Sequence, residues 1–516
     1  MKTHLLYQDG DFNWGEPLPA PAGALVQDLE LPTMFAAMAG GDPYLLEIIP
    51  KVVLHSLEDA EAIRYRQWVV SDCLDQPAII QKLYGVAGET LVGAKKVGRF
   101  YLTDSPASIL SRNIEMLEYL VTALRRLRVI AGEQVGTFRS DGLVTFFGML
   151  TAELDEAYFA AIDEHLRQLR FRPGVLVSAE LGPGNHGQQY VLRSPVQRAR
   201  SWWEKLSGRP SDGFSFAIAD RDEAGARALA DLQGRGINLV ANAVAQSNDH
   251  ILSFFDMLRA ELAFYLGCIN LHGQVAGAGR PVCFPASFPP GTPGLAAQDL
   301  RDVALALRQP QGVTGNDVDA TGRSLVMITG ANQGGKSTFL RSVGVAQLMF
   351  QCGMFVAASQ FTAGVRTGVF THYRREEDAG MSSGKLDEEL ARMSGLVDQV
   401  RPGSVVLFNE SFAATNEREG SEIARQIVRA LTEGGVEIWF VTHLFDFAHS
   451  FYLDQAVSPS ALFLRAERQT DGQRTFHLRP GAPLPTSYGQ DLYQQIFREE
   501  PGQPAPAPRY FTSTEP

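Results

Sequence analysis

Apolar residues recur at helical spacing over the first part of the chain, from about Leu31 to Leu127. Stretches such as AEAIRYRQWVVSDCL and ASILSRNIEMLEYLVTALRRL place apolar side chains three or four positions apart, which is the spacing of one buried helix face. The same pattern returns from Glu223 to Leu266. These segments predict a mainly helical domain over residues 1–269.

The pattern changes between Asp141 and Arg200. After a predicted helix near Leu154 to Leu169, the segment FRPGVLVSAELGPGNHGQQYVLRS alternates apolar and polar positions around the turn cluster Gly182 to Gly187. Alternation on both sides of Gly, Pro and Asn is typical of a β-hairpin. We therefore expect a hairpin inserted in the helical domain at about residues 141–210.

The second half of the chain has the pattern of an α/β domain. From Ser324 onward, the short apolar runs LVMITG, SVVLFN and EIWFVTH alternate with longer helical patterns. This alternation predicts a largely parallel sheet covered by helices, in a second domain over residues 270–500. The final residues, PGQPAPAPRYFTSTEP, have no such pattern, and we expect residues 501–516 to be a disordered tail.

Composition limits the class of protein. A chain of 516 residues with 45% hydrophobic content can form several packed domains. Its net charge of −12 means that any contact with nucleic acid must come from local basic patches. No segment has the roughly 18 apolar residues that a membrane span requires, and the N-terminus lacks a signal sequence, so we expect a cytoplasmic protein without membrane contact. The cysteines lack metal-binding spacing and are predicted to be reduced: Cys73, Cys268, Cys283 and Cys352.

The strongest chemical signal is the run GANQGGKST, which directly follows the apolar strand Leu325–Thr329. The pattern G-x-x-x-x-G-K-[ST] between a strand and a helix forms a loop whose backbone N–H groups surround phosphates, while the lysine reaches the β- and γ-phosphates. The alternative is a glycine-rich turn with a solvated lysine, but the flanking strand and helix favour the phosphate site. The residues predicted to bind ATP here are Gly330, Ala331, Asn332, Gln333, Gly334, Gly335, Lys336, Ser337 and Thr338.

A second predicted strand, Val405–Phe408, ends in Asn409 and Glu410. A nucleotide site of this kind needs oxygen ligands for Mg²⁺ and a group that acts on the attacking water. We predict Ser337, Asn409 and Glu410 at the metal, and Glu410 and Lys336 as catalytic residues. Because Asn409 stands where an aspartate is usual, metal affinity should fall. Slow hydrolysis and binding without hydrolysis therefore both stay open.

A third predicted strand, Glu437–Thr442, brings His443 to the same edge of the sheet. A neutral imidazole at this position can contact the γ-phosphate or hold the attacking water. A histidine after a strand can instead be purely structural. The order of the three motifs favours the catalytic interpretation.

Together these motifs resemble the ATPase domain of the MutS family of DNA mismatch repair proteins, and the similarity covers most of the chain. The segment NESFAATNEREG is similar to the family's acidic strand end and following loop, with Glu410, Thr415 and Gly420 at matching positions. GVTGNDV resembles the family segment whose asparagine approaches the adenine, which implies that Asn316 binds ATP. PTSYGQDL resembles its Ser-Tyr-Gly element at Ser487–Gly489, and DLELPTMFAAM looks like the start of its helical core.

The resemblance implies a multidomain α and α/β architecture. A mainly helical, lever- and clamp-like core would precede a P-loop ATPase domain of the ABC type with a mixed, largely parallel sheet. It also implies the cofactors ATP and Mg²⁺, DNA as a partner, and repair or recombination proteins as further partners. In the resulting homodimer, a serine of the partner subunit, matching Ser382 or Ser383, would complete each site. A transporter ATPase is disfavoured because no LSGGQ-like segment precedes the acidic strand.

The chain also departs from the family. It begins where the family's helical core begins, so we expect the mismatch-recognition and connector domains to be lacking. No Phe-x-Glu element is placed to insert into a mismatched base step, which argues against standard mismatch reading. In addition, Phe412–Ala414 replaces a turn that bears glycine and arginine in the family.

Basic residues follow the predicted hairpin and are interleaved with tryptophans. In the family, this region is a clamp that grips the duplex backbone, and such cations would give salt-sensitive DNA binding. The same pattern also fits an amphipathic surface with aromatic anchors, so both interpretations stay open. The residues concerned are Arg193, Arg198, Arg200, Trp202, Trp203, Lys205 and Arg209. Arg125, Arg126 and Arg128 are interpreted as a solvated helix face.

The leading hypothesis is a slow Mg²⁺-dependent ATPase whose nucleotide state controls DNA binding by a dimer. The alternative is a nucleotide-bound scaffold that does not hydrolyse ATP and holds a protein partner.

Overall fold

A computed structural model describes residues 1–97, 106–134, 136–170, 176–185, 187–193, 223–309, 312–375, 384–454, 457, 460–469 and 473–485. The chain divides into two compact units. One unit contains residues 1–16 and 68–269, and the other contains residues 17–67 and the described residues from 270 onward. The predicted tail, residues 501–516, lies outside the described residues.

Helices dominate the described first half of the chain, as their apolar spacing predicts. Their starts carry local capping bonds: Ser140 and Asp155 accept hydrogen bonds from the N–H groups of Leu143 and Tyr158, at 3.4 and 2.7 Å. The helices are α1 (Ala22–Asp28), α2 (Leu31–Ala39), α3 (Pro43–Leu54), α4 (Ala60–Asp75), α5 (Pro77–Val97), α6 (Pro106–Glu133), α7 (Asp141–Glu153), α8 (Glu156–Leu169) and α9 (Glu223–Val275).

The hairpin that the sequence predicts around Gly182 is present. Strands β1 (Leu176–Leu181) and β2 (Gly187–Arg193) pair antiparallel, with a register shift between Ser178 and Glu180. Gly184 in the turn has a φ of 72°, a conformation that glycine adopts without steric strain.

The start of the chain is fixed to α9 by a buried carboxyl group. The N–H of Leu5 donates to Glu261 at 2.7 Å, and the hydroxyl of Tyr265 donates to the carbonyl of Leu5. Burial raises the pKa of Glu261 to about 7, although the hydrogen bond from Leu5 acts in the opposite direction. Glu261 therefore changes its protonation state near neutral pH inside the helical unit.

The other unit contains both sheets. Its elements follow the alternation of strands and helices predicted from the sequence. They are β3 (Ala286–Ser287), β4 (Leu295–Leu300), α10 (Val303–Arg308), β5 (Asn316–Asp319), β6 (Leu325–Gly330), α11 (Lys336–Gln351), β7 (Gln360–Ala363), β8 (Val369–Tyr373), α12 (Lys385–Val397), β9 (Val405–Asn409), α13 (Glu417–Glu433), β10 (Glu437–Val441), α14 (Phe445–Leu453), β11 (Ala461–Arg468) and β12 (Arg474–Pro480).

The larger sheet has six strands in the order β12-β11-β6-β10-β9-β8. The five strands from β11 to β8 run parallel, and β12 pairs antiparallel to β11 at one edge. A smaller sheet has the order β3-β7-β4-β5. The predicted combination of helices with a largely parallel sheet is therefore confirmed.

The two sheets are joined through a buried ion pair. Arg366 and Glu437 lie 2.5 Å apart, and both side chains are buried. The same carboxylate accepts from the N–H of Gly294 at 2.7 Å and from the indole of Trp439 at 2.7 Å. Because both charges are paired and further hydrogen bonded, the desolvation penalty of burying them is offset.

Helices α1 to α3 pack with the sheets although they are distant in sequence. Asp28 pairs with Arg375 at 2.8 Å, and Glu30 pairs with Arg341. A Cβ atom at Gly344 of α11 would lie 2.8 Å from the Cδ2 of Leu29, so a side chain there would clash. These contacts explain why residues 17–67 belong to the sheet-containing unit.

Within the described ranges, no helix combines the length and the apolar character needed to cross a membrane. Cys73, Cys268 and Cys352 are buried free thiols, and Cys283 is a partly exposed one.

The buried carboxyl group gives a test of the helical unit. The pKa of Glu261 in the folded protein lies above its unfolded value, so its contribution to stability is greatest below the unfolded pKa and is lost as the pH rises through about 7. Between pH 5 and pH 8 we expect the free energy of unfolding of wild type to fall by on the order of 1–3 kcal/mol from this group.

Glu261→Gln keeps one acceptor and adds a donor without a titrating proton, so it should remove most of that fall. Urea unfolding followed by circular dichroism at both pH values measures the difference. Glu115→Gln, at an exposed position on α6, is the matched control. An unchanged pH dependence in Glu261→Gln would contradict the assignment.

Candidate nucleotide-binding site

Three neighbouring parallel strands bring the predicted motifs to one edge of the larger sheet. Strand β10 lies between β6 and β9, with Phe440 opposite both Met327 and Phe408. The carboxyl ends of parallel strands lie on the same side, so the glycine-rich loop, Glu410 and His443 all follow strands that end there. The structure therefore brings these three motifs together.

The glycine-rich loop has a backbone that larger residues would not permit. Gly330 has a φ of 107°, and a Cβ there would lie 2.8 Å from the backbone nitrogen of Ala466. A Cβ at Gly334 would lie 2.7 Å from the Cβ of Ala466, and Gly335 has a φ of 88°. The loop packs directly on β11 and then enters α11, whose first N–H groups are available to an anion.

The Lys336 side chain folds back onto this loop and bonds to its backbone. Its ammonium group donates to the carbonyls of Gly330 and Ala331, at 3.0 and 2.9 Å. The pKa of Lys336 is lowered, first by burial and also by the positive charge of Arg474, while Glu410 acts in the opposite direction. A bound anion would stabilise the charged form of this buried ammonium, which now lies close to another cation.

Ser337, Asn409 and Glu410 form an oxygen-rich set beside the loop. The Ser337 hydroxyl donates to the Asn409 side-chain carbonyl at 2.9 Å. Glu410 has a left-handed φ of 55°, and its N–H donates to the carbonyl of Val441 at 2.9 Å. Hydroxyl, amide and carboxylate oxygens are the ligand types that Mg²⁺ prefers.

His443 lies next to Glu410. Its Nδ1 is 3.9 Å from a carboxylate oxygen of Glu410, and both side chains are about one-third exposed. The preceding Thr442 fixes this turn, since its N–H donates to the carbonyl of Ile328 at 3.0 Å and its hydroxyl accepts from the N–H of Leu444 at 2.9 Å. The imidazole and the carboxylate thus face the same solvent-open space.

These residues border a cavity of about 680 Å³, a volume in the range of small-molecule sites. Its walls combine the polar loop from Asn332 to Phe339 with the apolar side chains of Leu300, Leu305 and Val313. Such walls suit a ligand with one charged and one flat apolar part.

Asn316 also lines the cavity, but its amide group is already used by β12. The side-chain nitrogen donates to the carbonyl of Phe476 at 3.1 Å, and the side-chain oxygen accepts from the N–H of Leu478 at 2.8 Å. The Asn316 amide thus holds the strand that carries Phe476, and the contact of Asn316 with a base stays a prediction.

Sequence reasoning missed Phe476, Arg374 and Arg474. Phe476 and Arg374 line the cavity, and Arg474 donates to the carbonyl of Asn332 at 3.3 Å. None of the three lies in a recognisable motif. They reach the site because β12 and β8 are the edge strands of the same sheet, which is a property of the tertiary fold.

Phe412 begins the turn Phe412–Ala414, which is a departure from the expected sequence pattern. Its φ is 64°, and its ring is fully buried and stacked on His372 with ring centroids 5.5 Å apart. Its N–H donates to the carboxylate of Glu389 at 2.7 Å. A left-handed conformation costs an L-residue about 1–2 kcal/mol, so packing and hydrogen bonding must hold this turn in place.

Two further family positions have clear local roles. The Thr415 hydroxyl donates to the carboxylate of Glu419 at 2.6 Å in the first turn of α13. A Cβ at Gly420 would lie 2.2 Å from the carbonyl oxygen of Phe412, so only glycine fits. Both residues therefore shape the turn that follows Glu410.

The basic residues divide into described and undescribed positions. Arg125 pairs with Asp163 at 2.8 Å and Arg126 with Glu89 at 2.9 Å, on exposed helix surfaces. The side chain of Arg193 donates to the hydroxyl of Ser178 at 2.9 Å. Several predicted residues lie outside the described residues, namely Arg198, Arg200, Trp202, Trp203, Lys205, Arg209, Ser382, Ser383 and Ser487–Gly489.

The fold and the site define a mixed helical and α/β protein with a glycine-rich loop between a parallel strand and a helix. Sequence comparison is more specific. Residues 58–278 match the MutS2 N-terminal domain, and residues 326–495 match MutS domain V. The chain belongs to the MutS family.

Curated relatives match over part of this chain. The DNA mismatch repair protein MutS of Chloroflexus aurantiacus is 31% identical over 182 residues, covering 34% of this chain and 18% of that protein. Endonuclease MutS2 of Lacticaseibacillus casei is 31% identical over 195 residues, covering 36% and 25%. The putative endonuclease MutS2 of Bacillus subtilis is 31% identical over 147 residues, covering 28% and 19%. The matched segments thus span a quarter or less of these relatives.

The strained turn at Phe412 can be tested by comparing two substitutions. Phe412→Ala removes the buried ring and keeps the unfavourable φ, so we expect a loss of about 3–5 kcal/mol in the free energy of unfolding. Phe412→Gly removes the ring and also relieves the backbone, so it should be less destabilising by about 1 kcal/mol. Urea unfolding measures both values. A glycine variant less stable than the alanine variant would contradict the account.

Proposed function

We propose that the chain binds ATP at the loop from Gly330 to Thr338 and hydrolyses it slowly with Mg²⁺. One observation carries the proposal: a buried ammonium, a ring of glycines that permit close approach, and a carboxylate meet at the head of α11. Backbone N–H groups and the start of the helix favour an anion there. Lys336 would exchange its two carbonyl contacts for phosphate oxygens.

The donor set beside the loop fits a hard divalent cation. Ser337 and Asn409 already share a hydrogen bond of 2.9 Å, so their oxygens lie close enough to face one small ion, and Glu410 is next to Asn409. Bound Mg²⁺ would neutralise charge on the phosphates. The neutral amide of Asn409 makes the site a weaker metal ligand set than one with two carboxylates.

For hydrolysis, Glu410 would orient and deprotonate the attacking water. Its left-handed backbone and the hydrogen bond from its N–H to Val441 fix its orientation at the end of β9. Its carboxylate borders the open cavity. His443, 3.9 Å away, would hold the same water or contact the γ-phosphate. Lys336 would stabilise charge that develops on the transferred phosphoryl group.

The alternative function is a nucleotide-bound scaffold without turnover, holding a protein partner. The specific observation that favours it is the Asn409 amide, which engages Ser337; within the part of the chain that the structure describes, Glu410 is the one carboxylate that follows it in the cavity lining. Binding depends mainly on the loop and Lys336, whereas hydrolysis also needs the metal and the activated water. Turnover therefore separates the two functions.

Family membership supports DNA as the partner and a dimer as the active form. Glu410 and His443 are about one-third exposed, so the site has an open side that a second copy of the chain would cover. Cytoplasmic repair or recombination proteins fit as further partners. We propose that nucleotide occupancy changes the affinity of the dimer for DNA.

Phosphate release gives the first test. Lys336→Ala should lower ATP affinity by about 10-fold or more, and it should also abolish measurable turnover because the charge that stabilises the transferred phosphoryl group is lost. Glu410→Gln should keep ATP binding and reduce turnover by about 100-fold or more, because the base is lost. Glu433→Gln, exposed on α13, is the control that should behave as wild type.

Wild-type protein that binds ATP without turnover would support the scaffold and refute the enzyme. Turnover that survives in Glu410→Gln would assign the activity to another group or to a contaminant.

DNA binding gives the second test. Gel-shift titrations with duplex, mismatched, branched and single-stranded DNA, with and without ATP, should show a change in affinity of about 5-fold or more with nucleotide. Binding should weaken steeply with salt because it relies on phosphate contacts. Equal affinity with and without ATP at every salt concentration would refute control by the nucleotide.

A further inference from the structure

Some charged side chains that line the cavity are already engaged in ion pairs, and others are not. Its acidic lining residues within the described part of the chain are Asp302 and Glu410, and its basic ones are Lys336 and Arg374. Asp302 is fully engaged by Arg341, whose Nε lies 2.6 Å from its carboxylate. Glu410 is therefore the one acidic lining group in the described residues that is not neutralised by a strong ion pair.

Arg374 is placed directly beside the metal-binding set. Its N–H donates to the carbonyl of Asn409 at 3.0 Å, because β8 and β9 pair in register up to Tyr373 and Asn409. Its side chain lines the same cavity as Ser337 and Glu410. The sheet thus fixes Arg374 on the opposite side of Asn409 from β10.

The neighbouring arginines have structural partners. Arg375 pairs with Asp28 at 2.8 Å, and Arg392 donates to the carbonyl of Tyr373 at 3.1 Å. No carboxylate oxygen of the described residues lies within 4 Å of the Arg374 guanidinium, although its charge acts at longer range on Glu389, whose pKa burial raises. Its guanidinium is exposed, and its five donors in a planar fork match phosphate oxygens.

A third cation lies at the loop itself. Arg474 donates to the carbonyl of Asn332 at 3.3 Å, close enough to Lys336 for its charge to act on the ammonium. Lys336 and Arg474 therefore lie at a loop that already offers backbone N–H groups, and Arg374 lines the cavity that this loop borders. This field favours a highly charged anion.

The neutral side chain of Asn409 also favours an anion in this site. A carboxylate at this position would attract a metal ion but would repel phosphates in the absence of that ion. The amide removes the repulsion and weakens the hold on the metal. A site with the neutral amide of Asn409 in place of a carboxylate, and with Arg374 in its lining, is suited to a triphosphate that carries its full negative charge.

We infer that this site takes the nucleoside triphosphate without its divalent metal, with Arg374 supplying the positive charge that the metal would otherwise bring. The inference rests on the proposed function, since it specifies which form of the nucleotide that same site binds. The metal is then required for hydrolysis and not for binding.

Isothermal titration with ATP, in magnesium and in excess EDTA, tests this inference on the full chain. Wild type should bind with dissociation constants that agree within about 3-fold between the two buffers. Arg374→Ala should weaken binding in EDTA by about 10-fold or more and weaken it much less in magnesium, because the metal then replaces the lost charge. Arg418→Ala, exposed on α13 and outside the cavity, should change neither value.

Asn409→Asp provides the reciprocal variant. It restores a carboxylate, so it should strengthen binding in magnesium and weaken it in EDTA. Wild-type binding that is about 30-fold or more weaker in EDTA, or an Arg374→Ala variant that loses affinity equally in both buffers, would overturn the inference. Absence of ATP binding in both buffers would instead refute the proposed function itself, so the two failures are distinguishable.

Discussion

The parallel pairing of β10 with both β6 and β9 is the constraint on which the site depends. The pairing is buried and aromatic: Phe440 stacks on Phe408 with ring centroids 4.9 Å apart, and Trp439 is fully buried. Because side chains alternate between the faces of a strand, a shift of one residue would send these rings to the other face. Register in the core thereby sets where the three strands end. The loop, the carboxylate and the imidazole meet because the sheet cannot slip.

Around this edge, unfavourable local geometry is held by buried polar contacts. Glu410 and Phe412 both have left-handed backbones, and Glu389 bonds to the N–H of Phe412 behind the turn. His372 stacks on the same ring, and its Nδ1 lies 2.8 Å from the hydroxyl of Ser411. A turn supported from behind in this way keeps its carboxylate fixed while the front stays open to ligand. Strained backbone conformations of this kind are common at functional sites, where a side chain must be held in one orientation.

The sequence was informative where chemistry is local. The strand before Gly330, the loop and the acidic strand end are continuous segments, so their order and spacing predict both structure and neighbourhood. Arg374 and Phe476 could not be predicted from the motifs because edge strands bring them to the site from other parts of the chain. The helices before residue 67 show the same limit: their apolar spacing predicts helix, but only contacts such as Asp28 with Arg375 decide which unit they join. Phe412 was visible as a departure from the family, whereas its left-handed backbone required the structure.

In the proposed function, the backbone N–H groups of the glycine-rich loop hold the triphosphate. Hydrogen exchange followed by mass spectrometry, with and without ATP, measures this most directly. We expect slower exchange in peptides covering residues 330–338 when ATP is added to wild type, and no such protection in Lys336→Ala. Protection elsewhere with unchanged exchange in this loop would contradict it.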